Sequence, residues 1–202
     1  MKDLFLCNGQ PLGLILLAGG SSRRMQWDKA LLPVAEETIV EHILKQLEDH
    51  FSEVLVSVSD RKKFDFLKRT LVVDEKPGKG PMMGIKTALR TSVQEKCFVI
   101  ACDIPEIDLG FLTRLVREAD KADITLPVSP RGRLEPLFAV YSKAVLPVMQ
   151  KLLDCGVLSL LPLFERGNVR YVPLGENNWF RNLNTRKDYE NYLRRKKHSQ
   201  RE

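Results

Sequence analysis

The chain has 202 residues and a net charge of +6 at pH 7, with 44% hydrophobic and 29% charged residues, which is typical of a globular protein with one sizeable α/β domain. No apolar run approaches the roughly 20 residues that span a bilayer, and the N-terminus lacks the features of a signal peptide, so we expect a cytoplasmic protein without a membrane partner. Five cations lie in residues 194–202, which leaves the body almost neutral and gives no basis for predicting a nucleic-acid partner.

The first half of the chain alternates between apolar strand patterns and helical patterns. A buried strand is predicted over residues 12–17, and apolar residues then recur at helical spacing from Ile39, with Thr38 as N-cap. Further elements are strands at 54–58 and 71–73, a short polar helix at 61–68, and a helix that Pro81 begins.

The second half is more mixed. The apolar run 97–102 predicts a central parallel strand that ends at Asp103, and a helix follows from about Asp108. Of the two strands at 124–128 and 134–141, the second contains Pro136, which suggests an edge strand or a bulge. The remaining elements are a helix capped by Ser142, a short helix at 157–165, a strand at 169–174, a loop at 179–185 and a charged helix at 186–197.

This order predicts a single-domain, Rossmann-like α/β fold with an open, mainly parallel sheet and antiparallel additions. We assign residues 1–193 to the domain and residues 194–202 to a basic tail that follows the last helix. The four cysteines form no Cys-x-x-Cys pair, and Cys97 and Cys102 are expected to be buried thiols. None of the three histidines neighbours a nucleophile, so catalytic-triad chemistry is not expected.

The turn after the first strand carries the strongest chemical signal. Gly19 and Gly20 let the backbone approach a ligand, and the cations Arg24 and Lys29 follow, which suits a phosphate group. The turn matches neither the Gly-x-Gly-x-x-Gly fingerprint nor a Walker A loop. Two cations on a surface loop are the simpler alternative, but their place directly after a glycine turn favours triphosphate binding.

Two later strands end in aspartates, at the sheet edge where open α/β folds bind ligands. Asp103 either caps the next segment or holds Mg²⁺, and its place after an apolar strand favours the metal. Asp74 contacts a sugar or base, or simply begins a loop. Asn182 and Asn184 are helix caps or contacts to the metal or substrate phosphates, and local chemistry leaves these alternatives open.

Residues 17–32, Leu-Ala-Gly-Gly-Ser-Ser-Arg-Arg-Met-Gln-Trp-Asp-Lys-Ala-Leu-Leu, closely resemble the signature loop of molybdenum cofactor guanylyltransferases, the MobA family. Further matching segments, in chain order, are Asp74 with Gly80-Pro-Met-Met-Gly-Ile85, Ala101-Cys-Asp-Ile-Pro105, more weakly Glu135-Pro-Leu-Phe138, and Asn182-Leu-Asn-Thr185. The chain departs from the family at Gln26, where glycine is common, and at Arg186, where proline is common.

The resemblance implies a nucleotide-diphospho-sugar transferase type of fold and transfer of GMP from GTP to molybdenum-bound molybdopterin, with Mg²⁺ as cofactor. Arg24, Lys29 and Asp103 would be catalytic, Asp103 would hold Mg²⁺, and Asn182 and Asn184 would border the molybdopterin. The implied nucleotide contacts are Leu17, Ala18, Gly19, Gly20, Lys29, Asp74, Gly80, Pro81, Gly84 and Asp103, with backbone amides of residues 18–20 holding the nucleotide.

Two other functions compete with this hypothesis. A related nucleotidyltransferase, such as a cytidylyltransferase for the same cofactor, would share the loop and differ in the base pocket. A non-catalytic cofactor carrier would have kept the pocket without the chemistry, but Lys29 and Asp103 are both present. Enzymes that make molybdopterin or accept the finished cofactor are the further partners that the resemblance suggests.

Overall fold

The computed structural model describes residues 4–19, 28–175 and 180–199, the last three by their backbone alone. The strands are β1 (Leu6–Cys7), β2 (Gln10–Pro11), β3 (Gly13–Leu17), β4 (Pro33–Val34), β5 (Glu37–Thr38), β6 (Glu53–Val58), β7 (Thr70–Val73), β8 (Lys96–Ala101), β9 (Ile124–Val128), β10 (Phe138–Ser142) and β11 (Val169–Pro173). The α-helices are α1 (Ile39–Leu47), α2 (Gly80–Thr91), α3 (Leu109–Glu118), α4 (Leu146–Asp154), α5 (Leu161–Phe164) and α6 (Arg186–Ser199). Short 3-10 helices cover Lys29–Leu31, Glu48–His50, Arg61–Leu67, Ala119–Lys121 and Lys143–Val145.

Seven of these strands form one twisted sheet in the order β11-β9-β10-β8-β3-β6-β7. Strands β8, β3, β6 and β7 are parallel neighbours, whereas β10 runs antiparallel to β8 and β9. The chain runs outward from β3 to β7 and then returns to place β8 on the other side of β3. This reversal puts a topological switch point between the carboxyl ends of β3 and β8, the position at which open α/β sheets bind ligands.

The core lies on both faces of the sheet. Along β3, Leu14 and Leu16 pack into one apolar cluster with α1, α3 and α6, while Ile15 and Leu17 pack into a second cluster with α2, α4 and α5. Successive side chains of a strand point to opposite faces, so a strand covered on both sides must be apolar throughout. The fold is therefore a three-layer α/β/α arrangement, and the predicted α/β class is confirmed.

Local signals place several helix ends correctly. Thr38 and Glu41 form a reciprocal capping box at the start of α1. The Asp108 carboxylate accepts from the Phe111 amide at 2.9 Å and begins α3. Pro81 occupies the first turn of α2, where its missing N–H costs no helical hydrogen bond.

Three expectations about the second half of the chain need correction. Strand β10 lies inside the sheet and begins at Phe138, so Pro136 precedes the hydrogen-bonded ladder instead of marking an edge strand. The predicted helix over 157–165 is reduced to α5. Helix α6 continues to Ser199, so residues 194–199 extend the last helix instead of following it. Lys and Arg are good helix formers, and no glycine or proline interrupts this stretch.

Two further observations concern the described part of the chain. None of its helices has the length and apolar character needed to cross a membrane. Cys97 and Cys102 are buried free thiols, as predicted, Cys7 is also buried, and Cys155 is exposed.

Candidate active site

A cavity of about 790 Å³ opens at the switch point between β3 and β8. Its lining includes these residues singled out from the sequence: Leu17, Ala18, Gly19, Lys29, Asp74, Gly80, Pro81, Gly84 and Asp103. Gly20 and Arg24 lie outside the described residues, as does the Gln26-Trp27 pair. Side chains separated by more than 80 positions in sequence thus share one cavity, because parallel strands end at the same edge of the sheet.

The turn after β3 is held by the neighbouring strand. The amides of Ala18 and Gly19 both donate to the Ser57 carbonyl at 2.9 Å. A side chain at Gly19 would bring its Cβ within 2.7 Å of the Ser59 amide nitrogen, so glycine is required here by packing against the end of β6. In this conformation these two amides already donate within the protein, and their contact with a nucleotide stays a prediction.

Lys29 and Asp103 form the charged end of the cavity. Asp103 lies two residues beyond the end of β8, and its buried Oδ1 has no hydrogen-bond partner in the described part of the chain. Burial raises the pKa of the Asp103 carboxyl above its usual range, and the nearby Lys29 ammonium partly offsets that rise. A buried carboxylate oxygen without a donor is a site where a cation can bind favourably.

Asp74 lies toward the other end of the cavity, after β7, which is two strands from β3, and against Gly84 of α2. The Ser57 hydroxyl donates to Asp74 Oδ1 at 3.2 Å. Burial raises the pKa of this carboxyl, and the Ser57 hydrogen bond acts against the rise. Gly84 permits the approach of the helix, since a Cβ there would lie 2.8 Å from Ser57 Oγ and 3.3 Å from Asp74 Oδ1.

The N-terminus of α2 also faces the cavity. The chain enters this helix through two positive-φ glycines, Gly78 at 77° in the preceding loop and Gly80 at 71° as the first helical residue, a conformation that only glycine adopts without strain. The N-cap residue, Lys79, makes no side-chain capping bond, so the first-turn amides other than Pro81, which has no N–H, lack a side-chain cap. These amides can donate hydrogen bonds to a ligand bound at this end of the cavity.

Asn182 and Asn184 differ in burial and in hydrogen bonding. The Leu183 amide donates to the Asp103 carbonyl at 2.7 Å, so this loop lies against the end of β8 although neither asparagine lines the cavity. Asn182 contributes a buried Oδ1 without a hydrogen-bond partner among the described residues. Asn184 is exposed, and its amide donates to Asp188 Oδ2 at 3.1 Å as part of the α6 cap. The bond of Asn184 is made by its backbone, so the role of its side chain stays a prediction, whereas Asn182 lies beside the site.

Two residues of this region received no role from the sequence. Ser57 is the one polar residue in the apolar run 54–58, and that exception was an available signal. Glu135 stood out only through the weak family segment Glu135-Pro-Leu-Phe138. It is 7% exposed, its Oε1 accepts from Arg133 Nε at 2.9 Å, and its Oε2 accepts from Asn182 Nδ2 at 3.5 Å.

Two observations on the described residues bear on the choice of this cavity as the candidate active site. No group of three or more His, Cys, Asp or Glu side chains within the described ranges is arranged to hold a metal ion. A second depression, of about 660 Å³, lies beside the edge strand β7 and contains none of the residues predicted to function. The cavity at the switch point therefore remains the candidate active site.

Comparison with known proteins places the chain in a family. Residues 14–166 match the MobA-like NTP transferase domain family. A protein of Carboxydothermus hydrogenoformans named probable molybdenum cofactor guanylyltransferase is 34% identical over 192 residues, covering 92% of this chain and 96% of the relative. The molybdenum cofactor guanylyltransferase of Syntrophotalea carbinolica is 30% identical over 188 residues, covering 89% and 90% respectively.

A solved structure shows the same fold. The molybdopterin-guanine dinucleotide biosynthesis protein A of Archaeoglobus fulgidus superposes with a TM-score of 0.77 at 24% identity, covering 91% of this chain and 97% of that one. The sequence match extends over most of the domain, and it includes both strands that border the candidate active site. The chain therefore belongs to the MobA-like NTP transferase family.

Proposed function

We propose that this chain is a molybdenum cofactor guanylyltransferase, which transfers GMP from GTP to the terminal phosphate of molybdenum-bound molybdopterin and releases pyrophosphate. The names of relatives at 30% and 34% identity support this assignment. The observation that carries it is the single cavity at the switch point, which brings Lys29 and Asp103 to one end and Asp74 and the α2 N-terminus to the other.

The proposed reaction joins two anions, so its barrier is largely electrostatic. One phosphate oxygen of the acceptor attacks the α-phosphorus of GTP in line with the departing pyrophosphate. The Lys29 ammonium lines the cavity and stabilises the charge that develops on the transferring phosphoryl group. The acceptor phosphate is already ionised near neutral pH, so the proposal assigns no general base.

The two ends of the cavity suit the two parts of the nucleotide. At one end, the Lys29 ammonium and a cation held by Asp103 suit the phosphates. At the other end, Asp74, held by Ser57, presents a carboxylate that can accept hydrogen bonds from guanosine hydroxyl or amino groups, and the first-turn amides of α2 can donate to acceptor atoms of the base. We assign guanosine recognition to Asp74 and the segment Gly80–Gly84 on this basis, as the family resemblance implied.

The residues around Asp103 fit Mg²⁺. Magnesium is commonly held by one or two carboxylates, together with substrate phosphates and water, so it needs no dedicated cluster of acids. Asp103 offers a buried Oδ1 without a donor, which a hard cation would satisfy. When bound, Mg²⁺ supplies charge neutralisation on the phosphates and the leaving group. Asp103 is the residue that we propose as its protein ligand.

The acceptor would lie on the far side of Asp103 from the guanosine, toward the loop that carries Asn182. That loop is fastened to the end of β8 through the Leu183–Asp103 backbone bond of 2.7 Å. Asn182 is the better candidate for a contact at this border, because its buried Oδ1 has no hydrogen-bond partner among the described residues, whereas Asn184 is exposed.

The test is an assay of nucleotide transfer by the purified full chain. Molybdenum-bound molybdopterin is supplied with GTP and Mg²⁺, and both pyrophosphate release and the dinucleotide product are measured. We expect turnover with GTP, little with CTP or ATP, and none in EDTA. Preferential use of CTP would identify a cytidylyltransferase. Binding of the cofactor without pyrophosphate release from any nucleotide would identify a carrier and overturn the proposal.

A further inference from the structure

Two buried oxygen atoms beside the candidate active site lack a hydrogen-bond donor among the described residues, and both are acceptors only. They are Asp103 Oδ1 and Asn182 Oδ1. The Leu183–Asp103 backbone bond of 2.7 Å holds their two chain segments together. Buried polar atoms are normally paired, so two unpaired acceptors in one region indicate a missing donor or cation.

Glu135 is the charged neighbour of this pair. Its carboxylate is buried, with one oxygen accepting from Arg133 Nε at 2.9 Å and the other from Asn182 Nδ2 at 3.5 Å. Burial raises the pKa of Glu135, while Arg133 and Asn182 lower it and the Asp103 charge raises it further. The Glu135–Asn182 contact and the Leu183–Asp103 backbone bond bring the two carboxylates into the same region.

An amide side chain has one donating and one accepting end, and a carboxylate can only accept. Contact with Glu135 therefore requires Asn182 to present its Nδ2, which turns its Oδ1 away from Glu135. An uncharged amide at position 135 would not impose this orientation. Only one of its two terminal atoms is an oxygen, and the Arg133 guanidinium, which only donates, would compete with Asn182 for that oxygen and leave the NH2 to face Asn182.

We propose that Glu135 is a positioning residue, which orients the Asn182 amide so that its Oδ1 and Asp103 Oδ1 face the same bound cation. This inference rests on the proposed function, because the cation is the Mg²⁺ that accompanies GTP. Glu135 acts through Asn182 and does not itself touch the nucleotide. Its charge is balanced by Arg133, so the region accommodates a second carboxylate near Asp103.

The test measures how strongly the metal is coupled to nucleotide binding, without any turnover. The dissociation constant of GTP is determined by calorimetry with Mn²⁺ and again in EDTA. The value in EDTA divided by the value with Mn²⁺ measures the coupling, and this ratio is compared among variants. We expect Glu135→Gln to lower that ratio by about tenfold, the usual effect of losing a partner that orients a metal ligand, with the EDTA value unchanged. The matched control is Glu118→Gln, which removes a remote ion pair with Arg170 at 2.7 Å and should change neither value.

A second arm separates orientation from a purely structural role. In Asn182→Asp both terminal atoms are oxygens, so no orientation is needed, and the new carboxylate repels Glu135. Adding Glu135→Gln to this variant should therefore strengthen the metal coupling, the opposite of its effect in the parent. A loss in both backgrounds, or an unchanged ratio in Glu135→Gln alone, overturns the inference. A parent chain that binds no GTP, with or without Mn²⁺, overturns the proposed function and this inference with it.

Discussion

The backbone amide of Leu183 donates to the carbonyl of Asp103 at 2.7 Å. This bond fastens the last loop of the domain to the end of the central strand, and Leu183 is 2% exposed, so the contact is buried in the core. The loop therefore keeps Asn182 beside Asp103 through its backbone, independently of any side-chain contact. Predictions about the candidate site follow from this and similar fixed contacts.

Replacing Lys29 by alanine should leave the fold intact and reduce guanylyl transfer roughly 10²–10³-fold, the effect of removing one transition-state donor. Steady-state kcat with GTP and Mg²⁺ measures this loss. The control is Lys45→Ala, which removes an ammonium that is 78% exposed and paired with Glu37 at 3.7 Å. Near-parental turnover of the Lys29 variant would exclude the assigned role.

Asp103→Asn should abolish Mg²⁺-dependent transfer and yet stabilise the ligand-free protein by about 1 kcal/mol, the lower end of the cost of a buried unsatisfied polar group. The folded-state pKa of Asp103 is raised, so the parent loses stability as the pH rises from its unfolded-state value through its folded-state value. The gap between variant and parent should therefore widen from pH 4 to pH 7.

Thermal unfolding of both proteins across that pH range, in EDTA, measures this effect. Asp65→Asn is a suitable comparison, because the Asp65 side chain is 64% exposed and pairs only loosely with Arg61 at 3.8 Å. A gap between the Asp103 variant and the parent that stays constant with pH, or that closes, would contradict the argument from burial.

Gly84→Ala should weaken GTP binding, because the added Cβ would lie 2.8 Å from Ser57 Oγ and 3.3 Å from Asp74 Oδ1. Helix α2 must move outward, and we expect KM for GTP to rise about tenfold, the equivalent of ~1.4 kcal/mol. Gly110→Ala is the control, since its Cβ meets only the Asp108 side chain, at 3.1 Å, on helix α3. Equal KM values for the two variants would show that close packing at Gly84 is unimportant for the nucleotide.

Thr185→Ala should lower the free energy of unfolding by about 1 kcal/mol, because it removes the N-cap of α6. The Thr185 hydroxyl accepts from the Asp188 amide at 3.2 Å and donates to Asp188 Oδ2 at 2.8 Å. The bond from the Thr185 hydroxyl to the carboxylate lowers the pKa of Asp188, so its share of the stability is present above the unfolded-state pKa and is lost as the pH falls through the folded-state value. The bond from the Asp188 amide to the hydroxyl does not depend on this ionisation. Urea unfolding should therefore show a larger difference at pH 7 than at pH 3.

Cys155 should react with a thiol reagent faster than the other three cysteines. Burial raises the pKa of Cys7 to about 11 and that of Cys97 to about 12, and it raises the pKa of Cys102 as well. Cys155 is exposed. Titration with a chromogenic disulfide at pH 8 should therefore modify one thiol rapidly in the native protein and all four after unfolding. Rapid reaction of a second thiol in the native state would contradict the buried placement.

Periodicity and local capping sufficed for most elements. Thr38 at the start of α1 was predicted from residues within one turn of it, because a cap depends on neighbouring backbone amides. The prediction of an edge strand or bulge from Pro136 was wrong, because the effect of a proline depends on where hydrogen bonding to the neighbouring strand begins. That ladder starts at Phe138, two residues later, and the missing N–H of Pro136 removes no bond from it.

Gly19 is explained differently by the sequence and by the fold. The glycine turn predicts a place where the backbone approaches a ligand, and Gly19 lines the cavity. The tertiary structure adds that the end of β6 packs against Gly19, and that the Ala18 and Gly19 amides donate to Ser57. Only the pairing of β3 with β6 creates that constraint, and their partners lie some 40 residues apart.

Residue patterns alone were enough to predict the α/β class, the residues near the ends of β3, β7 and β8, and the family resemblance that the family match confirmed. Each of these depends on side-chain periodicity, local hydrogen bonding or contiguous motifs, which involve neighbouring residues. The contact between Glu135 and Asn182, 3.5 Å apart, could be recognised only once the chain was folded. Contacts between distant segments depend on strand order and helix packing, because the energy that fixes them comes from burial of the whole core and not from any one segment.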